Sequence, residues 1–462
     1  VSPDLEICAV TDRVSKAPGG GPGLLFERPT GFDIPVALNI FGSMKRICLA
    51  LGVSKLDDLA REIEELATPK IPGGMLDALK MLPMVGRLRD LMPKTVSDAA
   101  CQEVIERDGT FDSLPILKCW PEDGGRYITF PLVFTKDPES GARNVGTYRM
   151  QVKGPNKTGL LIGIRQDAAL HIRKNNAQNK PTPMAVVIGA DPSIGYVSVS
   201  KMSESLDEFA VAGALRGEPV DLVPCETVPL EVPATAEIVL EGEIPPNAVE
   251  PEGPFGEYTG YMGPAGNEPY FNIKCMTFRN KPLYQAFISQ MPPSESSCIR
   301  GIGREWPLLK HLRDNLHIPV KDLRLKEAGG SGAYLVISLK KQFVGQVRQL
   351  MYGAWSLRTG FGKITVVVDD DIDVWDDFAV DWALSWRVRP DRDIYIERDV
   401  QAVGLDPSQA PAGVLQHDPS RNVGSRIGID ATRKHEYPAI SLPPKEHLDL
   451  VASRWKEYGI ED

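Results

Sequence analysis

Cysteine pairs, long hydrophobic runs and phosphate-gripping glycine motifs are all missing from this chain of 462 residues. Its 7 cysteines (Cys8, Cys48, Cys101, Cys119, Cys225, Cys275 and Cys298) are scattered, odd in number and never spaced C-x-x-C. They read as reduced thiols, not as a disulfide framework or a cysteine zinc site. No apolar stretch approaches the ~20 residues that span a bilayer, and no signal-peptide core is present. A cytoplasmic location is the expectation. The chain opens on "VSPDLEICAV" rather than on methionine, and that start reads as mid-domain with an N-terminal piece missing. The net charge of −10 argues against a general binder of nucleic acid or anionic membrane. The turn-like "APGGGPG" at 17–23 has neither the Gly-Lys-Ser/Thr ending of a P-loop nor the helix start that follows a dinucleotide fingerprint. Internal repeats and low-complexity tracts are absent too.

What is present is an ordinary globular composition, 42% hydrophobic and 25% charged, long enough for two or three domains. The run 54–67 carries Leu56, Leu59, Ile63 and Leu66 on one stripe and predicts a helix; residues 73–96 read as a second, interrupted by Pro83. From about 111, short β-branched runs separated by turns ("RYITFPLVFTKD", "MAVVIGAD", "GYVSVSKM", "AEIVLEGEI") predict a β-rich middle region with one inserted helix, "SLDEFAVAGALRG". After about 300, helices alternate with strands, which predicts an α/β unit closed by an amphipathic tail helix.

The stretch "EPEGPFGEYTGY" at 250–261 poses the chemical question. A straight strand would set Glu252 and Glu257 on opposite faces and roughly 16 Å apart, and a helix would not tolerate that proline and those glycines. A bend at Gly253-Pro254-Phe255-Gly256 can instead bring the two acids together, where like charge and burial raise a carboxyl pKa; the alternative is a solvated acidic turn. Asn144 and Arg149 offer a neutral oxygen and a charged fork on a strand entry. Glu208 sits among apolar helix residues, either buried with a partner or turned to solvent. The acidic run "VVVDDDIDVWDD" at 366–377 reads as helix capping and a solvated face.

In order along the chain, N-x4-R at 144–149, Arg165-Gln166, "SLDEFAVAGALRG", "VPATAEIVLEGEI", "PEGPFGEYTGY", "DDDIDVWD", "GLDPSQAPAG" and "GSRIGIDAT" resemble the UbiD family of reversible decarboxylases, its 4-hydroxybenzoate-decarboxylase-like branch in particular. The resemblance implies an α+β fold: a split β-barrel of flavin-reductase type (111–300), flanked by an N-terminal α/β domain (1–110), a C-terminal α/β domain (301–440) and an oligomerisation helix (441–462). It implies prenylated FMN with Mn²⁺ or a similar divalent metal and K⁺, a flavin prenyltransferase as cofactor supplier, and a homodimer or homohexamer. The implied reaction is non-oxidative loss of CO2 from an aromatic or heteroaromatic acid. A non-catalytic or carboxylating subunit of a larger complex is the alternative, and a plain FMN reductase would need a nicotinamide site for which no fingerprint exists.

Residue by residue, the resemblance implies Asn144 and Glu208 as metal ligands and Arg149, Glu252 and Glu257 as the catalytic trio, with Glu257 the proton donor. It puts Thr147, Tyr148, Arg149, Arg165 and Gln166 on the cofactor and Arg426 on its phosphate. Asp167 stands where many members have a metal-binding His; it is either a third oxygen ligand or a helix cap, with His171 in a supporting role.

Overall fold

The computed structural model describes residues 1–54, 91–163, 166–200, 207–357, 361–401, 405–409 and 423–459. The predicted helix at 54–67 and most of the one at 73–96 lie outside the described residues.

The middle of the chain folds as one antiparallel sheet. Its strand path runs Tyr127–Ile128, Met150–Gly154, Lys157–Leu160, Gly266–Phe278, Ile238–Ile244, Thr182–Ile188, Leu132–Lys136 and Arg143–Thr147, with Val249–Glu252 and Val104–Glu106 also paired to the long 266–278 strand. Period-2 alternation sends neighbouring side chains to opposite faces. Met184, Val186 and Ile188 enter one core with Phe271 and Leu240. Ala185 and Val187 enter another with Phe134, Phe209 and Val239. Both faces are therefore covered, which is why these strands read as continuous apolar runs instead of alternating ones. The two ends of the path do not pair with each other, so among the described residues the sheet is curved but not closed.

"GYVSVSKM" departs from its predicted strand: Pro192–Val199 is a helix. Asp191 caps it through Ser193 N–H, Pro192 fills the first turn, and Ser193 to Ser198 are all buried. Capping and tertiary burial override the β-propensity of Tyr, Val and Val.

The C-terminal unit is a mixed five-stranded sheet in the order Val320–Leu325, Tyr334–Leu339, Ile364–Asp369, Val423–Ala431, Ile394–Gln401, whose three central strands are parallel. Helix Gln346–Leu357 covers one face with Leu350 and Met351. Helix Asp377–Arg387 covers the other with Val380 and Ala383. The acidic run is split in role: Asp376 caps this last helix, while Asp369 and Asp371 grip the buried guanidinium of Arg387.

Helix Glu295–Lys310 links the two sheets. Its first residue, Glu295, is 1% exposed and accepts hydrogen bonds from the backbone N–H groups of Asn39 and Phe41, both at 2.7 Å. That carboxylate fastens the N-terminal segment to the linking helix. Removing it leaves two buried donors unsatisfied, so Glu295→Ala is expected to cost roughly 2–4 kcal/mol in denaturant unfolding; an unchanged midpoint would remove this clasp from the account.

Candidate active site

The Gly-Pro bend does fold two acids together. Val249–Glu252 ends as a strand, Gly253 turns with φ +90°, and Phe255–Gly256 pairs back on Met262–Gly263. Four contacts hold the bend. Gln151 Oε1 accepts from Gly253 N–H at 2.9 Å. Tyr127 donates its hydroxyl to the Pro254 carbonyl at 3.0 Å, and Gly124 N–H donates to the same oxygen at 2.8 Å. Buried Asp123 accepts from Gly256 N–H at 3.0 Å with one oxygen and from Cys119 and Trp120 N–H with the other. Gly256 has no room for a side chain, since a Cβ there would lie 2.1 Å from the Trp120 indole.

Inside the bend, Arg149 lies between the acids. Its Nε and Nη2 donate to the two oxygens of Glu252 at 3.0 and 2.8 Å, and its Nη1 donates to Glu257 Oε1. Arg149, Glu252 and Glu257 are 8%, 1% and 8% exposed. Burial pushes the Glu257 carboxyl up, and the Arg149 and Arg300 guanidiniums only partly oppose that. Burial works against the Arg149 cation, but the two carboxylates more than offset it and hold it protonated. Arg149 is thus shared by two buried carboxyls, and Arg300 adds a second guanidinium near Glu257. Glu252 spends both oxygens on the guanidinium; Glu257 commits only one.

The trio's Arg149 and Glu257 face a cavity of about 670 Å³ that Thr147, Tyr148, Gln166 and Phe255 also line. Thr147, Tyr148 and Gln166 extend into a second cavity of about 450 Å³, which holds Asn144, Asp167, His171 and Glu208. Arg165 lies outside the described residues. Glu208 opens helix Glu208–Arg216, and its carboxyl rises to about 7, mainly through burial. Asn144 is 5% exposed and its Nδ2 has no hydrogen-bond partner. His171 bonds Thr135 Oγ1 through Nδ1 at 2.9 Å, and burial lowers its pKa. The helix that Asp167 opens has no side-chain cap. Among the described residues no three His, Cys, Asp or Glu side chains form a metal cluster; the Asn144, Asp167 and Glu208 set is two carboxylates and an amide. The Asn144 side-chain oxygen and the carboxyls of Asp167 and half-buried Glu208 are the hard oxygen donors that suit a divalent cation.

Arg426 joins neither cavity. It sits on strand Val423–Ala431 and lines a third one, donating to the Trp355 carbonyl at 3.2 Å.

Sequence reasoning missed Arg300, which lines both of the first two cavities. Its guanidinium carbon stands 3.7 Å from the Tyr258 ring centroid, and Nη1 has no hydrogen-bond partner. The i, i+4 spacing of Arg300 and Arg304 on one helix face was the available signal. Glu268, in the first cavity, was missed as well; burial raises it to about 7.

Three domain models of 3-octaprenyl-4-hydroxybenzoate carboxy-lyase match the chain: the N-terminal domain over residues 1–66, the Rift-related domain over 94–292 and the C-terminal domain over 297–431. The chain belongs to the UbiD family. A protein of Archaeoglobus fulgidus is 39% identical over 467 residues, covering 99% of this chain and 94% of its own. Among solved structures, the UbiD-class enzyme HmfF from Pelotomaculum thermopropionicum, in complex with FMN, is 31% identical with a TM-score of 0.82 over 98% of this chain and 95% of that one. Vanillic acid decarboxylase of Sedimentibacter hydroxybenzoicus, in closed form, is 26% identical with a TM-score of 0.82 over 100% and 94%. Membership of the UbiD family makes this chain a carboxy-lyase of mixed α+β fold.

The bend itself is testable. Gly256→Ala drives a methyl into Trp120 and is expected to cost about 1–3 kcal/mol, the usual scale of overpacking. Trp120→Leu in the same chain should recover part of the loss in denaturant unfolding; equal loss in single and double variants would show that Trp120 is not what excludes the side chain.

Proposed function

We propose that the protein is a reversible, non-oxidative decarboxylase of an aromatic or heteroaromatic acid that uses prenylated FMN. One observation carries the reading: a buried arginine shared by two carboxylates, facing a cavity of ligand size. The solved HmfF relatives, one with FMN and an evolved dimeric form with prFMN, support the choice of cofactor. When bound, the prenylated flavin supplies the electron sink for the bond that releases CO2.

The protein's own groups do the rest. The Arg149 guanidinium attracts the substrate carboxylate into a dry pocket, where its charge acts at low dielectric. Glu252 holds that guanidinium in a fixed plane through its two-point contact. Glu257, whose carboxyl burial pushes up, is the proton donor to the carbon that CO2 leaves; in carboxylation the same group accepts the proton. Asn144, Glu208 and Asp167 would hold Mn²⁺ or a similar ion beside the cofactor phosphate, with K⁺ nearby. Thr147, Tyr148 and Gln166 would line the cofactor, and Arg165 is assigned to it on the resemblance alone. A flavin prenyltransferase would supply the cofactor, and the protein would work as a homo-oligomer in the cytoplasm.

Glu257→Gln is expected to keep the fold and bound cofactor while CO2 release falls at least ~10²-fold. In the parent, activity should fall as pH rises through the Glu257 pKa, because the acid form is the donor. Near-normal turnover with matured cofactor would exclude Glu257.

Glu208→Ala is expected to lower metal and flavin content together, since Glu208 would hold the cation in the cavity that Thr147 and Tyr148 also line. Asp167→Ala should lower metal retention less, because water fills one vertex of a hard-ion site. Metal analysis and flavin absorbance of the purified variants check both; full occupancy in Glu208→Ala would remove it as a ligand.

A further inference from the structure

Each CO2 released consumes one proton: RCOO⁻ + H⁺ → RH + CO2. Glu257 would give that proton from a side chain only 8% exposed, so it has to be reloaded from solvent before the next turnover. The wall of its cavity leads outward. Asn267 and Arg173 stand exposed on it, Glu257 is buried, and half-buried Glu268 lies between them in exposure.

Strand pairing brings Glu268 to the edge of the Arg149 network. Val249–Glu252 runs antiparallel to Gly266–Phe278, with Glu250 opposite Glu268 and Glu252 opposite Gly266. Residues two apart on a strand share a face, so Glu250, Glu252 and Glu268 project to one side. The other charged and titratable groups on that side are Lys157, which pairs with Glu250 at 2.7 Å, Tyr270 beneath the Lys157 ammonium, Lys153, drawn to both Glu250 and Glu252, and Arg149 beyond Glu252. Arg173, Arg300 and Glu257 face Glu268 from the rest of the cavity wall. Glu252 is a poor carrier, because Arg149 holds both of its oxygens. Burial and the Glu252 charge raise the Glu268 carboxyl to about 7, against the opposing pull of Arg149. A carboxyl tuned to that range gains and loses a proton with equal ease at neutral pH, which suits a relay.

We propose that Glu268 reloads Glu257 with solvent protons through water in the cavity that both line, and returns them outward when the reaction runs toward carboxylation. One proton enters at Glu268, one leaves Glu257 for the carbon, and no electrons pass between the two acids. Glu268 acts here through Glu257 and not on the substrate. The inference rests on the decarboxylase reading with Glu257 as donor.

The test is steady-state CO2 release by the holoenzyme at neutral pH, from an acid that the parent decarboxylates. Glu268→Gln is expected to lower kcat roughly tenfold with KM and flavin content held, less than the loss in Glu257→Gln, because slow reloading directly from water remains. Imidazole, a small molecule whose cation is an acid near neutral pH, should restore kcat of this variant in proportion to its concentration and leave the parent unchanged. Glu268→Asp keeps a carboxyl on the wall and should retain most of the parent rate. Glu250→Gln, paired to Lys157 and off the cavity wall, should match the parent. A parent-like kcat in Glu268→Gln overturns the proposal, and so does a loss that neither imidazole nor Glu268→Asp repairs, since a structural role predicts that result. Lost flavin with unchanged kcat per bound flavin overturns it too. A parent that releases CO2 from no acid contradicts the decarboxylase reading and this proposal with it; an active parent with an indifferent Glu268→Gln overturns this proposal alone.

Discussion

Everything at this site depends on one buried cation with two claimants. Arg149 meets Glu252 through two hydrogen bonds and Glu257 through one, and all three side chains are nearly withdrawn from water. Burying a balanced pair is affordable only with good geometry, and burying an extra negative charge is worse. The hydrogen bonding is unequal, two contacts to Glu252 and one to Glu257, and burial raises the Glu257 carboxyl. An acid neutral at working pH is what protonation of a carbon centre requires, so the electrostatic constraint and the proposed chemistry have one origin.

The surrounding fold serves that constraint. Arg149 follows strand Arg143–Thr147 at the point where the chain turns into Met150–Gly154, so its position is set by the sheet. The acids come from a bend pinned by Asp123, Gln151 and Tyr127, none of which touches Arg149 through a hydrogen bond. A rigid loop matters because a guanidinium displaced by an ångström would no longer satisfy both carboxylates. Strand Arg143–Thr147 of the same sheet carries Asn144, and the first residues of the helices that begin at Asp167 and Glu208 line the adjoining cavity.

Much of this was legible in the sequence because it is local. Glycine and proline between Glu252 and Glu257 demand a bend, and the bend is what brings the acids together. Glu208 among apolar residues stood out, and it is half-buried with its carboxyl raised to about 7. The α/β alternation after residue 300 was readable for the same reason: each element carries its own period. What stayed hidden depends on distant packing. "GYVSVS" has the residues of a strand, but Asp191, Pro192 and burial on all sides make it a helix. Arg300 gains its place beside Tyr258 only when helix Glu295–Lys310 packs against the catalytic loop. Arg426, which the resemblance assigns to the cofactor phosphate, lines the third cavity from a parallel strand of the C-terminal sheet.

The most direct measurement is the protonation state of the two acids, read by isotope-edited infrared difference spectroscopy of the parent against the Glu252 and Glu257 amide variants near neutral pH. The account expects a protonated-carboxyl band that disappears only in the Glu257 variant. No such band, or one that disappears only in the Glu252 variant, would contradict it.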